Sequence, residues 1–96
     1  MILAVIIEKF CAETNQFTLK VKLNGSFTKG EWGRLKEYKK CLEISEQCLL
    51  VRYQNTIVHL YHEKDMCLVA NSKSISEGIK HVENIIEFLK EGALNR

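Results

Sequence analysis

His59 and His62 stand in an H-x-x-H spacing, with Glu63 beside the second and Cys67 five residues further on. Imidazole, thiolate and carboxylate are the groups that hold a transition metal, and a Cys–His pair is the core of a thiol nucleophile. On an extended chain, however, side chains alternate between faces, so the odd spacing of His59 and His62 sends them apart. His62 can meet Cys67 only across a hairpin, with Glu63 at the rim. In that arrangement both face the core, where a thiol is inert. Cys11, Cys41 and Cys48 add no C-x-x-C spacing, and Gly25, Gly30 and Gly33 lack the spacing of a phosphate-cradling loop. The expectation is a non-enzymatic chain with no catalytic residue, no metal and no cofactor.

The residues that remain useful are on the same stretch, 49–71, which reads LLVRYQNTIVHLYHEKDMCLVAN. Apolar and polar residues alternate with a period near two, and β-branched and aromatic types are frequent, as in half-buried strands. A turn at Gln54 and Asn55 pairs Val51 with Val58 and Leu49 with Leu60. A second turn at Lys64 and Asp65 pairs His62 with Cys67 and Leu60 with Val69. Alternation then sorts the side chains. Leu49, Val51, Val58, Leu60, Cys67 and Val69 form a core face. Leu50, Arg52, Ile57, His59, Tyr61, Met66 and Leu68 form a face too polar for a core and too apolar for bare solvent. Lys20 and Lys22 join it from an earlier strand.

Composition sets the frame for that face. Ninety-six residues, 46% hydrophobic and 27% charged, suit one globular domain, residues 1–96, with a core that needs no staple. A net charge of +2 is too small to imply a polyanion partner; the placement of the cations must carry that claim. Three of the four cysteines lie in apolar runs, which predicts buried, reduced thiols in a cytoplasmic protein. The opening MILAVII has no basic segment before it and is too short to span a bilayer. It reads as a strand, apolar on both faces and so covered on both sides. No membrane partner is expected.

The rest of the chain positions the central stretch. Residues 17–23 alternate cleanly, with Phe17, Leu19, Val21 and Leu23 on one side and Thr18, Lys20 and Lys22 on the other. Asn24 and Gly25 end that strand; with Ser26 they also match a glycosylation acceptor that a cytoplasmic chain never presents. Thr28 and Glu31 form a capping box, and Trp32, Leu35, Tyr38 and Leu42 follow at helical spacing. Residues 42–44 suit a brief edge strand. A second capping box at Ser74 and Glu77 opens a helix whose stripe is Ile75, Ile79, Val82, Ile86 and Leu89, widened by Ile85 and Phe88. Gly92 is its expected stop, and residues 93–96 are a tail. The predicted class is α+β: one antiparallel sheet with two helices on one face, in the order β-β-α-(β)-β-β-β-α.

From Phe17 onward this order resembles one repeat of the TATA-binding-protein fold. The likeness is carried by CLLVRYQNTIVHLYHEKDMCLVANSKSISEGIKHVENIIEFL: an Arg-containing strand, an apolar strand, a Lys-Asp turn and a Met-Cys strand leading into a Ser-Lys-Ser helix start. That family has two such repeats in one chain, and wedges phenylalanines into the minor groove from a stretch that here holds no Phe. The resemblance implies nucleic-acid binding on the open sheet face, with a second copy completing the saddle. Counted from Met1, the same order is similar to the core of roadblock and longin domains, non-enzymatic scaffolds that dimerise or bind small GTPases and trafficking or motility partners. The residues themselves point to binding through Lys20, Lys22, Leu50, Arg52, Ile57, His59, Tyr61 and Leu68. Cations supply phosphate affinity, and Tyr61 and His59 can stack on bases. An uncovered apolar sheet face is also how subunits meet. The alternatives are therefore nucleic acid or a protein partner, with homodimerisation through the sheet face or an edge strand.

Overall fold

Six strands run antiparallel in one sheet, and two helices lie against one of its faces. The structure is a computed structural model that describes the backbone of residues 2–38 and 41–94 and the side chains of these as far as Glu91. In chain order the elements are β1 (Ile2–Cys11), β2 (Gln16–Leu23), α1 (Lys29–Leu35), β3 (Cys41–Ser45), β4 (Cys48–Tyr53), β5 (Thr56–Tyr61), β6 (Met66–Ser72) and α2 (Ile75–Leu94). Across the sheet they stand as β1-β2-β6-β5-β4-β3. The α+β class and the element order are those read from the sequence. Met1, Asn95 and Arg96, expected in the first strand and the tail, lie outside the described residues.

The core follows from period-two alternation. Leu19 and Val21 on β2, Leu49 and Val51 on β4, Val58 and Leu60 on β5, and Cys67 and Val69 on β6 are all buried. They meet Trp32 and Leu35 of α1 and Val82, Ile85 and Leu89 of α2. The first hairpin has the predicted register, Tyr53 opposite Thr56 and Leu49 opposite Leu60. Within its two-residue turn, Gln54 takes a left-handed φ of 57°. The second hairpin differs: Leu60 faces Cys67 and Val58 faces Val69, a slip of two residues that turns His62 to Asp65 into a four-residue loop. Because side chains repeat every second residue, a slip of two leaves every face assignment unchanged. The predicted partners change, and His62 no longer meets Cys67.

Both helices start as expected and end elsewhere. Thr28 Oγ1 accepts from the Glu31 amide at 3.1 Å and the Glu31 carboxylate accepts from the Thr28 amide at 2.8 Å. The helix stops at Leu35, so Tyr38 sits in the following turn and Leu42 on β3. At α2, Ser74 Oγ accepts from the Glu77 amide at 3.1 Å, while the Glu77 carboxylate lies 3.7 Å from His81 Nε2. The helix continues through Gly92 to Leu94. Its buried stripe is rotated from the expected one: Val82, Ile85 and Leu89 are buried, Ile79 and Ile86 are half-buried, and Ile75 is exposed. Gly78 explains the rotation. A Cβ built there would stand 2.7 Å from Leu19 Cδ1 and 2.9 Å from Ser72 Oγ, so the helix backbone rests directly on β2 and β6.

The largest departure is β1. Its apolar run predicts a strand covered on both sides, but β1 forms the edge of the sheet. Leu3, Ile6, Ile7 and Phe10 are 64%, 45%, 51% and 47% exposed. At the other edge, Leu42 and Ile44 of β3 are exposed as well.

Candidate sheet-face binding site

The face away from the helices is built by cross-strand rows. Lys20 of β2 faces Leu68 of β6, which faces His59 of β5, which faces Leu50 of β4, which faces Leu42 of β3. One row along, Ala70 faces Ile57 and Ile57 faces Arg52. On the other side Lys22 faces Met66, and Tyr61 faces Cys48. All eight residues singled out in the sequence therefore share this face: Lys20, Lys22, Leu50, Arg52, Ile57, His59, Tyr61 and Leu68. Arg52 is exposed and the others are half-buried by one another. The cations are not in one cluster. Lys20 and Lys22 are neighbours on β2, whereas Arg52 lies three strands away, roughly 14 Å at the usual strand spacing.

Local contacts hold some of these groups in place. Arg52 Nε donates to the Gln54 carbonyl at 3.1 Å, tying the guanidinium to its own turn. Lys64 Nζ sits 5.0 Å from the centre of the Tyr61 ring, a cation–π contact that brings a further cation to the face. Burial holds the Tyr61 phenol above its usual range, with smaller contributions from Cys48 and Cys67. Tyr61 therefore keeps its hydroxyl proton, and with it a hydrogen-bond donor, at neutral pH. In the sequence Lys64 reads only as a turn residue; no feature of its spacing announces the contact, because the loop conformation creates it.

Charge is divided between the four central strands and α2. The strands β2, β4, β5 and β6 contain Lys20, Lys22 and Arg52 and no Asp or Glu. In α2, on the opposite side, four glutamates (Glu77, Glu83, Glu87, Glu91) outnumber Lys80 and Lys90. A net charge of +2 hides this separation.

The histidine and cysteine candidates come apart. His62 lies in the loop after β5 and stacks on Trp32, ring centres 5.0 Å apart and 16° from parallel. Cys67 faces Leu60 instead and is fully buried, and burial pushes its thiol up to about 12. Cys11, Cys41 and Cys48 are half-exposed rather than buried, and all four cysteines are free thiols. Burial, and then Glu43, raise Cys41; hydrogen bonds from Thr14 lower Cys11. Among the described residues no three His, Cys, Asp or Glu side chains gather into a group that could hold a metal ion. Among them, too, no helix is long and apolar enough to cross a membrane. Comparison with models of known families, with curated proteins and with solved structures finds no match.

Proposed function

We propose that this chain is a non-enzymatic binding domain that takes nucleic acid on its open sheet face. The observation that carries the reading is the charge division: four adjacent strands present three cations and no carboxylate, backed by an acidic helix. Phosphates gain affinity from such a surface through counterion release. Leu50, Ile57 and Leu68 form an apolar floor between the cations, and His59 and Tyr61 offer rings for stacking. The resemblance to a TATA-binding-protein repeat agrees with this use of the face. No cofactor is required.

A second reading, self-association, is favoured by a separate observation: the exposed Leu3, Ile6, Ile7 and Phe10 on one sheet edge and Leu42 and Ile44 on the other. Isolated edges of this kind tend to pair.

Titrating labelled single-stranded and duplex DNA with the protein between 50 and 200 mM salt tests the first reading. Binding that weakens steeply with salt is expected, and Tyr61→Ala is expected to weaken single-strand binding by about 1–3 kcal/mol if the ring stacks on a base. No binding at the lowest salt overturns it.

A further inference from the structure

We infer that β1 pairs with β1 of a second copy about a two-fold axis through Ile6, joining two sheets into one of twelve strands. The inference rests on the self-association reading above and names its surface, its occupant and its register.

The starting point is what β1 leaves open. It is ten residues long, has no proline and carries no charge before Glu8. Natural edge strands are usually short, charged or covered; this one is long, uncovered and without charge from Ile2 to Ile7, and its outer backbone groups are free to pair. The other edge, β3, is only five residues long and has Glu43 at its centre.

The two irregularities of β1 then select a partner. Pairing with β2 places Ile2, Val5, Ile7 and Phe10 opposite Leu23, Val21, Leu19 and Phe17, on the helix side. Ala4, Ile6 and Lys9 stand opposite Lys22, Lys20 and Thr18, on the open side. The register shifts at Leu3 and Glu8, so the faces do not follow simple odd–even order. An antiparallel neighbour related by a two-fold must match them face by face. With the axis at Ile6, Ile6 meets Ile6, Val5 meets Ile7 and Ile2 meets Phe10 of the second copy, each pair on one face. Glu8 and Lys9 fall opposite Ala4 and Leu3, at the ends of the paired segment. A shift of the pairing by one residue sets helix-side residues against open-side ones along the middle of the strand.

A notch of about 250 Å³, lined by Ile2, Glu83, Ile86, Glu87 and Lys90, flanks the start of β1 on the helix side. In this register Phe10 of the second copy arrives opposite Ile2, at the mouth of that notch. The exposed Leu3, Ile6, Ile7 and Phe10 supply about two thirds of the area of a small stable interface. Four large side chains of roughly 200 Å² each, about half exposed, remove on the order of 800 Å² over both copies. Strand backbone and neighbours extend that toward the roughly 1,200 Å² of small stable interfaces.

The consequence for the open face is direct. The row through the axis reads Lys20, Ile6, Ile6 and Lys20, with the two lysines roughly 14 Å apart. Lys9 and Lys22 of both copies flank it, so pairing brings the β1 and β2 lysines of the two copies together at the centre of the assembly.

Sedimentation of the full chain without nucleic acid, beside oxidative crosslinking with diamide, tests the proposal. The wild type is expected to be a dimer, and Ile6→Lys to weaken it at least tenfold with the far-ultraviolet dichroism retained. Ile6→Cys in a Cys11→Ser background is expected to crosslink to its own copy, because paired residues bring Cα atoms within disulfide reach; native Cys11, far from its counterpart in this register, is not. The crosslink decides the matter even if the lysine variant fails to fold. A dimer that Leu50→Asp dissociates and Ile6→Lys does not, or one crosslinked through Cys11, overturns the β1 pairing but leaves self-association standing. A wild-type monomer overturns both.

Discussion

Gly78 and Cys67 show how single residues set the packing from which the open face is displayed. Gly78 lets α2 touch the sheet, and its neighbour Ser72 is fixed by donating to the Ser74 carbonyl at 2.6 Å. Gly78→Ala improves helix propensity by about 1 kcal/mol, but overpacking against fixed neighbours costs typically 1–3 kcal/mol. The variant is expected to lose up to about 2 kcal/mol in urea unfolding; a gain in stability contradicts the close approach. Cys67 makes stability fall at high pH. Its thiol, ordinarily at 9.0, is held up to about 12 by burial, so the folded state keeps a proton that the unfolded chain gives up. The contribution is whole below pH 9 and shrinks as pH rises from 9 to 12, at up to about 1.4 kcal/mol per unit. Cys67→Val should flatten that part of the profile. The half-buried Tyr53 phenol, also raised, keeps the remainder.

At the scale of elements, local signals locate starts and interiors well and ends poorly. Thr28 and Glu31 mark the start of α1 because a capping box is a contact within one turn. Its end is set by the chain turning back toward β3, which the helical spacing of Tyr38 and Leu42 conceals. The faces of β4, β5 and β6 are legible from alternation, and they survive a misplacement of two residues in the second hairpin because a slip of two preserves parity. The rotation of α2 is not legible: Ile75, Ile79, Val82, Ile86 and Leu89 make as good a stripe on paper as Val82, Ile85 and Leu89. Gly78 decides between them by touching a strand far away in the chain. Ile85→Ala should therefore cost about 2–5 kcal/mol, and Ile75→Ala, at an exposed site, within about 0.5 kcal/mol of nothing. Denaturant midpoints with an unchanged slope are the measurement; equal destabilisation at the two sites contradicts the rotation.

For the molecule as a whole, apolar content alone misjudges β1. A run of aliphatic residues reads as buried, yet sheet order decides what covers a strand, and nothing within residues 1–10 encodes being the outermost of six. The eight face residues are legible because parity is local; the charge division becomes visible only once β2 stands beside β6, since Lys20 and Arg52 are far apart in the chain. That division is the basis of the nucleic-acid reading, and substituting Lys20, Lys22 and Arg52 together by Gln tests it most directly. None of the three belongs to the core, so unfolding should move by less than about 1 kcal/mol. A logarithmic plot of nucleic-acid affinity against salt, wild type beside variant, is predicted to become shallower by roughly 0.7–0.9 for each phosphate that the variant no longer neutralises. An unchanged slope, with the variant fully folded, would contradict the account.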